Sequence, residues 1–162
     1  MESLNDFMNE YTTQLRKGQI QKAYKAIMTF MAGLKNYMGS KHPEYTASAL
    51  YFGYMVMTYF AFTPMQLKER NLKIAVVYLH EQNRLEVWLG GGNRKVQAEY
   101  IELFKRKDIG CYILSQARPG VDSIIEMRMV DQPDFERAND LMQIIEGKTI
   151  EFADNIISIF SE

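Results

Sequence analysis

The segment Gly90–Lys95, with the sequence GGGNRK, has the residue types of an anion site. Glycines allow positive φ angles and let another group approach the backbone closely. If a helix starts here, its first N–H groups are unpaired, and Arg94 and Lys95 add positive charge that suits a phosphate. The spelling matches neither a Walker loop nor the G-x-G-x-x-G motif. A plain turn in which Asn93 caps the helix explains the same residues.

These two interpretations differ in what the cations do. An anion site needs Arg94 and Lys95 to converge on a ligand, whereas a plain turn lets them point apart or pair with the protein's own carboxylates.

An uncharged aromatic run is the most unusual feature of the chain. Residues 48–63 read SALYFGYMVMTYFAFT, a composition that predicts one long strand, with Gly53 at a bulge or bend. Both faces of this strand are apolar, so we expect it to be covered on both sides or to face a partner. It is either a central core strand or, because tyrosine has an apolar body and a polar tip, the lining of a ligand site or a subunit interface.

Side chains that could act as nucleophiles or bases have little supporting context. His80 falls on the apolar face of a hairpin near its turn, and Glu81 points to the opposite face, so a packed or rim histidine is expected. Cys111 is expected to be a buried structural thiol, since free cysteine behaves as a small hydrophobe. The basic residues 105–107 are close to Cys111 in sequence and could lower the pKa of its thiol, so a reactive thiolate is kept as an alternative. The chain has no G-x-S-x-G elbow and no metal-ligand spacing, so no metal or cofactor is expected.

Charge and motif both argue against a nucleic-acid partner. Nineteen basic residues oppose twenty acidic ones, which excludes a polycation. The run of cations at 105–107 is explained by the end of a helix, where positive charge is favourable. A restriction-type nuclease needs Glu-x-Lys, and the nearest spellings, at Glu86 and Glu126, lack the lysine.

The elements that must position these residues begin with two helices. Apolar residues at helical spacing predict a short helix from Leu4, for which Ser3 and Asp6 resemble a capping arrangement. A longer helix is predicted near residues 19–38, with Gly18 between the two. Further helical stripes follow Pro133 and run to the end of the chain.

A hairpin carries the only tryptophan. Residues 73–81 and 84–90 alternate around a two-residue turn at 82–83, which predicts Trp88 opposite Val77 and Glu86 opposite Leu79. Tyr78 and Val87 then share the other face, which faces the main core.

Two more strands are predicted, at residues 111–115 and 121–130, the second with Ser123, Ile125, Met127 and Met129 on one face. We therefore expect one α+β domain spanning residues 1–162, with an antiparallel sheet of about four or five strands and N- and C-terminal helices packed on it. The chain has one cysteine, no signal peptide and no apolar run of membrane-spanning length, so a cytoplasmic protein with no membrane partner is expected.

Four strings occur together in an order and spacing that resemble a known family: QKAYKAIMTFM, YFGYMVMTYFAFTP, LKIAVVYLHEQNRLEVWLGGGNRKVQ and PGVDSIIE. The chain resembles, from about Leu4 to about Phe160, a family of small uncharacterised bacterial proteins defined as a domain of unknown function. The resemblance implies a bacterial, stand-alone protein and implies no activity. Residues 73–104 are also similar to a domain that accompanies restriction-type nucleases.

We expect a ligand- or protein-binding module that uses an aromatic-rich sheet surface, with a small anionic or aromatic ligand and a homodimer as its partners. The alternatives are an enzyme acting on a phosphorylated or nucleotide-like substrate at Gly90–Lys95 and an accessory to nucleic-acid processing, so enzymatic activity stays open. The candidate ligand-binding residues are Tyr51, Tyr54, Tyr59, Trp88, Gly91, Gly92, Arg94 and Lys95.

Overall fold

The computed structural model describes residues 1–161, in which α-helices flank and interrupt one β-sheet. The helices are α1 (Leu4–Lys17), α2 (Gln19–Lys41), α3 (Met65–Lys68), α4 (Arg94–Phe104) and α5 (Ala138–Phe160). The strands are β1 (Thr46–Ala47), β2 (Met57–Thr63), β3 (Leu72–Leu79), β4 (Arg84–Gly91), β5 (Ile113–Leu114) and β6 (Ser123–Asp131). Short 3-10 turns lie at Gly53–Met55 and Phe135–Arg137.

The sheet has six strands in the order β1-β2-β3-β4-β6-β5, and every neighbouring pair is antiparallel. The α+β class is therefore confirmed, while the predicted number of four or five strands is too low. The difference arises at one edge, where β1 is two residues long and carries too little alternation to be recognised as a separate strand, whereas β5 lies within the strand predicted at residues 111–115.

The core lies between one face of this sheet and the helices α2 and α5. Alternate residues of the central strands, such as Phe60, Val76 and Val87, are fully buried there together with Leu34 of α2 and Phe152 of α5. The short helix α1 forms as predicted, with reciprocal capping bonds between Ser3 and Asp6, yet none of its residues is buried.

The β3–β4 hairpin keeps the predicted faces but not the predicted pairs. Leu79 pairs with Arg84, Val77 with Glu86 and Ala75 with Trp88, so the predicted pairing is wrong by two residues. The connection has four residues, 80–83, and Asn83 adopts a positive φ of 50° in it. A shift of two residues preserves the alternation, and Trp88 therefore still shares a face with Val77 while Tyr78 and Val87 lie on the core side.

The uncharged run 48–63 does not form the predicted single strand. Only Met57–Thr63 is a strand, because the chain before it turns back and runs antiparallel to β2, with Ser48 opposite Ala61 and Tyr51 opposite Tyr59. Three consecutive residues at the reversal, Gly53 to Met55, have positive φ angles of 76°, 51° and 65°. A strand cannot continue through that conformation.

Strand β6 contains two irregularities that change which side chains share a face. Gly90 pairs with Ser123 and Leu89 with Ile125, so Ile124 is an extra residue in the ladder. This bulge turns Ser123 to the side away from Ile125, which corrects the predicted face of Ser123. The hydroxyl of Ser123 donates instead to the carboxylate of Glu126, at 2.5 Å.

Candidate functional site

The sheet face opposite α2 and α5 contains a pocket of about 310 Å³. Its lining residues come from β2, β3, β4, the start of α4 and the residues that open β6: Met57, Tyr59, Lys73, Ala75, Val77, Trp88, Gly90, Gly91, Asn93, Arg94, Gln97, Asp122 and Ser123. Because side chains alternate along each strand, the residues between them point into the core.

One part of the pocket is apolar and aromatic. Ala75 and Val77 are nearly buried, and the side chains of Tyr59 and Trp88 come from the two strands that flank β3. The ring of Tyr51 lies 4.9 Å from the ring of Tyr59 and supports it from outside the lining. Burial, followed by the neighbouring Tyr51 and Asp122, raises the pKa of Tyr59, so its phenol is a protonated donor at neutral pH.

The indole of Trp88 is held by a buried carboxylate. Its Nε1–H donates to Oε1 of Glu86 at 2.8 Å, and the Nε–H of Arg84 donates to the other carboxylate oxygen at 2.7 Å. Glu86 is only 3% exposed, so these two bonds take the place of its water. Glu86 is therefore a positioning group for Trp88 and lies outside the pocket lining.

The polar end of the pocket is built by the glycine turn and α4. Asn93 caps α4 by accepting from the backbone N–H of Val96 at 2.9 Å. The buried Gln97 donates its amide to the carbonyls of Val121 at 2.8 Å and of Ser123 at 3.0 Å. Gly91 lies so close to this helix that a Cβ atom there would stand 2.8 Å from the backbone nitrogen of Gln97. Close packing therefore explains the glycine at position 91.

The two cations of GGGNRK do not converge on a shared site. Arg94 donates to Asp122 at 2.9 Å, to Gln97 at 2.9 Å and to the carbonyl of Val121. Lys95 is exposed and does not line the pocket. Arg94 thus pairs with a carboxylate of the protein itself, which is one of the two arrangements that the plain-turn interpretation allows. Gly92 packs against the side chain of Asn71, where a Cβ would lie 2.1 Å from Oδ1.

The structure brings four of the eight candidate residues together. Tyr59 from the aromatic run, Trp88 from the hairpin, and Gly91 and Arg94 from the glycine turn line one pocket. Tyr51 contacts it through Tyr59, whereas Tyr54 is 91% exposed on the reversal at 52–56. Gly92 and Lys95 also lie outside the lining.

Nine of the thirteen lining residues were not among the eight candidates, and they include Lys73, Gln97, Asp122 and Ser123. Alternation could have found Lys73, since it lies two and four residues before Ala75 and Val77 on the same strand. Its side chain runs along Gly90, and within residues 1–161 it forms no ion pair. Of the two lining cations, Lys73 and Arg94, only Arg94 forms an ion pair among residues 1–161.

His80 is a packed histidine. Its ring stacks on Tyr24 at 5.9 Å and meets the edge of Tyr78 at 5.0 Å, and burial lowers its pKa. The hydroxyl of Thr58 donates to the carbonyl of Phe52, so the 2.8 Å contact between Thr58 and Nε2 of His80 has the imidazole as donor. Cys111 is exposed, which corrects the expectation of a buried thiol.

Residues 1–161 hold no cluster of three His, Cys, Asp or Glu side chains that could bind a metal ion. Over the same range, no helix has both the length and the apolar character needed to span a bilayer.

A family model described as a domain of unknown function (DUF7000) matches residues 4–160. The chain belongs to this family. The match extends over α1 to α5 and over every residue of the pocket, so the pocket is part of the DUF7000 domain itself. Comparison with the curated proteins gives no match, and comparison with the solved structures gives none.

Proposed function

We propose that this DUF7000 protein is a binding module for a small planar molecule that carries a negative group. The observation that supports this proposal is the convergence of Tyr59, Trp88 and Lys73 on one pocket of the sheet face opposite α2 and α5. Its volume of about 310 Å³ is at the lower end of the range for small-molecule sites, roughly 300–1,000 Å³. A ligand of one or two fused rings suits this size.

The chemistry of the lining defines the ligand class. Tyr59 and Trp88 offer ring faces and edges to a planar group over the apolar floor of Ala75 and Val77. The ammonium of Lys73 has no partner within residues 1–161 and can meet a carboxylate, sulfonate or phosphate. Arg94 and Asp122 neutralise each other, which leaves a net single positive charge on the lining.

The same lining supports binding in preference to catalysis. Its ionisable side chains are Tyr59, Lys73, Arg94 and Asp122, and the last two form an ion pair. The raised pKa of Tyr59 makes it a hydrogen-bond donor and a poor base at neutral pH. No histidine or cysteine is among the lining residues.

The test uses the fluorescence of Trp88, the only tryptophan of the chain. The probes are 8-anilinonaphthalene-1-sulfonate and its uncharged analogue N-phenyl-1-naphthylamine. We expect the sulfonate to quench Trp88, and we expect Tyr59→Ala to weaken its binding up to about tenfold, since an aromatic pair contributes roughly 0.5–1.5 kcal/mol. Lys73→Gln should weaken binding of the sulfonate several-fold and leave the affinity for the uncharged dye unchanged.

Matched controls are available on the same chain. Tyr54→Ala and Lys25→Gln remove an exposed tyrosine and an exposed lysine away from the pocket and should leave both dyes unaffected. The proposal would be contradicted if neither dye changed the emission of Trp88. It would also be contradicted if the pocket variants and the control variants lost affinity equally.

A further inference from the structure

Helix α1 carries an apolar stripe that its own chain leaves open to solvent. Leu4, Phe7, Met8 and Tyr11 follow the spacing of one helix face, and each is about half exposed or more. None of the fourteen residues of α1 is buried. Isolated helices of this length are marginal in water, so a stripe of this kind is stabilising only when something covers it.

The joint between α1 and α2 keeps α1 away from the body of the molecule. Gly18 alone separates the two helices, and its φ of 78° ends α1 and starts α2. Antiparallel helices that pack along their length are joined by loops of about two to five residues. A single residue is too short for that, and α1 therefore projects as an arm.

A second open apolar surface lies at the same end of the molecule. In the reversal at 52–56, the side chains of Phe52, Tyr54, Met55 and Val56 are all exposed, and Val56 is 68% exposed. The carbonyl of Val56 accepts from the N–H of His80, whose ring stacks on Tyr24 of α2. Tyr24 is six residues beyond Gly18, about 9 Å along the helix, so arm and reversal are neighbours that do not cover each other.

We propose that a second copy of this chain covers both surfaces, with the α1 arm of each protomer packed on the 52–56 reversal of its partner around a two-fold axis. Such an exchange is self-complementary, as a closed dimer requires. The eight apolar side chains expose roughly 800 Å² per protomer, since one aromatic side chain carries about 150–250 Å². A standard interface buries about that area on each partner.

Charge favours this occupant over a membrane surface. Residues 48–63 carry no charge, so the arm meets no ionised group that would lose its water on that segment. The polar side of the arm is mixed, with Asp6 and Glu10 toward one end and Arg16 and Lys17 at the other. Helices that lie on anionic lipid are instead rich in lysine and arginine.

The first experiment is sedimentation velocity of the full chain at 1–100 μM. We expect a dimer, with Phe7→Glu and Val56→Glu each raising the dimer Kd at least tenfold. Neither side chain is buried, so neither variant should lose its fold. Thr13→Glu places the same charge on the opposite side of α1 and should dimerise like the unaltered chain. A monomer at 100 μM, or a dimer insensitive to both substitutions, would overturn the proposal.

The second experiment identifies the seat of the arm by disulfide formation in a Cys111→Ser background. A chain with Met8→Cys, mixed with a chain carrying Met55→Cys, should give a covalent dimer of the two. Efficient linking of the Met8→Cys chain to itself would mean that the arms pair with each other and would overturn the proposed seat. The outcome does not depend on the ligand-binding pocket, because neither position lines it.

Discussion

Trp88 and Glu86 lie two residues apart on β4 and are joined by a 2.8 Å hydrogen bond from the indole N–H to the carboxylate. Residues at this spacing share one face of a strand, so a single element supplies both the ring and the group that orients it. The second carboxylate oxygen binds Arg84, again two residues away. This row of three side chains holds one edge of the pocket, and a 3.7 Å ion pair between Arg84 and Asp131 ties it to β6.

Glu86→Gln should be strongly destabilising. The amide can accept from only one of the two donors, and its own NH2 would face the other, which leaves the largely buried Arg84 with only the 3.7 Å ion pair to Asp131. We expect a loss of about 3 kcal/mol in the free energy of unfolding, measured by urea denaturation, and a shift in Trp88 emission. Glu102→Gln, which removes an exposed, solvent-screened ion pair with Lys105, should leave the free energy of unfolding nearly unchanged. Equal effects of the two substitutions would contradict the role given to Glu86.

Gly91→Ala and Gly147→Ala should change stability in opposite directions. A Cβ at position 91 would lie 2.8 Å from the backbone nitrogen of Gln97, so strand and helix must move apart, at a cost of about 1–3 kcal/mol. At position 147, inside α5, the added methyl meets no atom within 4 Å apart from the adjoining helix backbone and its chain neighbours. Alanine is the better helix former by roughly 1 kcal/mol there. Thermal unfolding of the two variants beside the unaltered chain checks the signs, and a stabilised Gly91→Ala variant would show that the turn is loosely packed.

Ala75→Leu should fill the pocket at little cost in stability. Ala75 is 8% exposed and faces the open side of the sheet, where a larger side chain extends into the cavity. We expect binding of 8-anilinonaphthalene-1-sulfonate to fall at least tenfold while the urea midpoint moves only slightly. Ala49→Leu adds the same atoms at an exposed site and should bind normally. If the Ala75→Leu variant still binds the dye, the dye must bind outside this pocket.

Lowering the pH should weaken the fold through His80. Burial lowers its pKa in the folded chain below the ordinary value of about 6.5, so the unfolded chain binds the proton more readily. Stability is therefore fully present above pH 6.5 and declines as the pH falls from there through the lowered folded pKa. Urea denaturation at pH 7.5 and 5.5 should show a smaller pH dependence for His80→Asn than for the unaltered chain. Proton NMR titration of the His80 ring gives the same quantity directly, and a midpoint above 6.5 would reverse the expected sign.

Much of the local structure follows from the sequence alone because its causes are local. Ser3 and Asp6 cap α1, and Asn93 caps α4, through contacts only three residues long. The faces of β3 and β4 follow from alternation. The prediction therefore places Trp88 correctly on the same face as Val77, even though the predicted pairing is shifted by two residues. The family membership likewise follows from strings that the chain itself carries.

The candidate site was predictable only in pieces. Tyr59 and Arg94 were singled out for different reasons, one from an aromatic run and one from a glycine turn, and nothing in either pattern says that they share a pocket. Only the order of strands, with β3 and β4 between β2 and β6, brings both residues to the same open face. Lys73 and Ser123 were missed because one looks like an ordinary exposed strand residue and the other is turned by a bulge.

The tertiary structure alone decided the reversal at 52–56 and the partner of Arg94. Composition favours extended backbone for the whole run 48–63, but a chain that must return to pair with β2 turns at Gly53 and the two residues that follow it. The bond from Arg94 to Asp122 spans 28 residues and exists because α4 docks on β6 through Gln97. Propensity, capping and alternation are determined by neighbours within a few residues. Register, bulges and long-range ion pairs are instead determined by how whole elements pack, which a local sequence pattern does not describe.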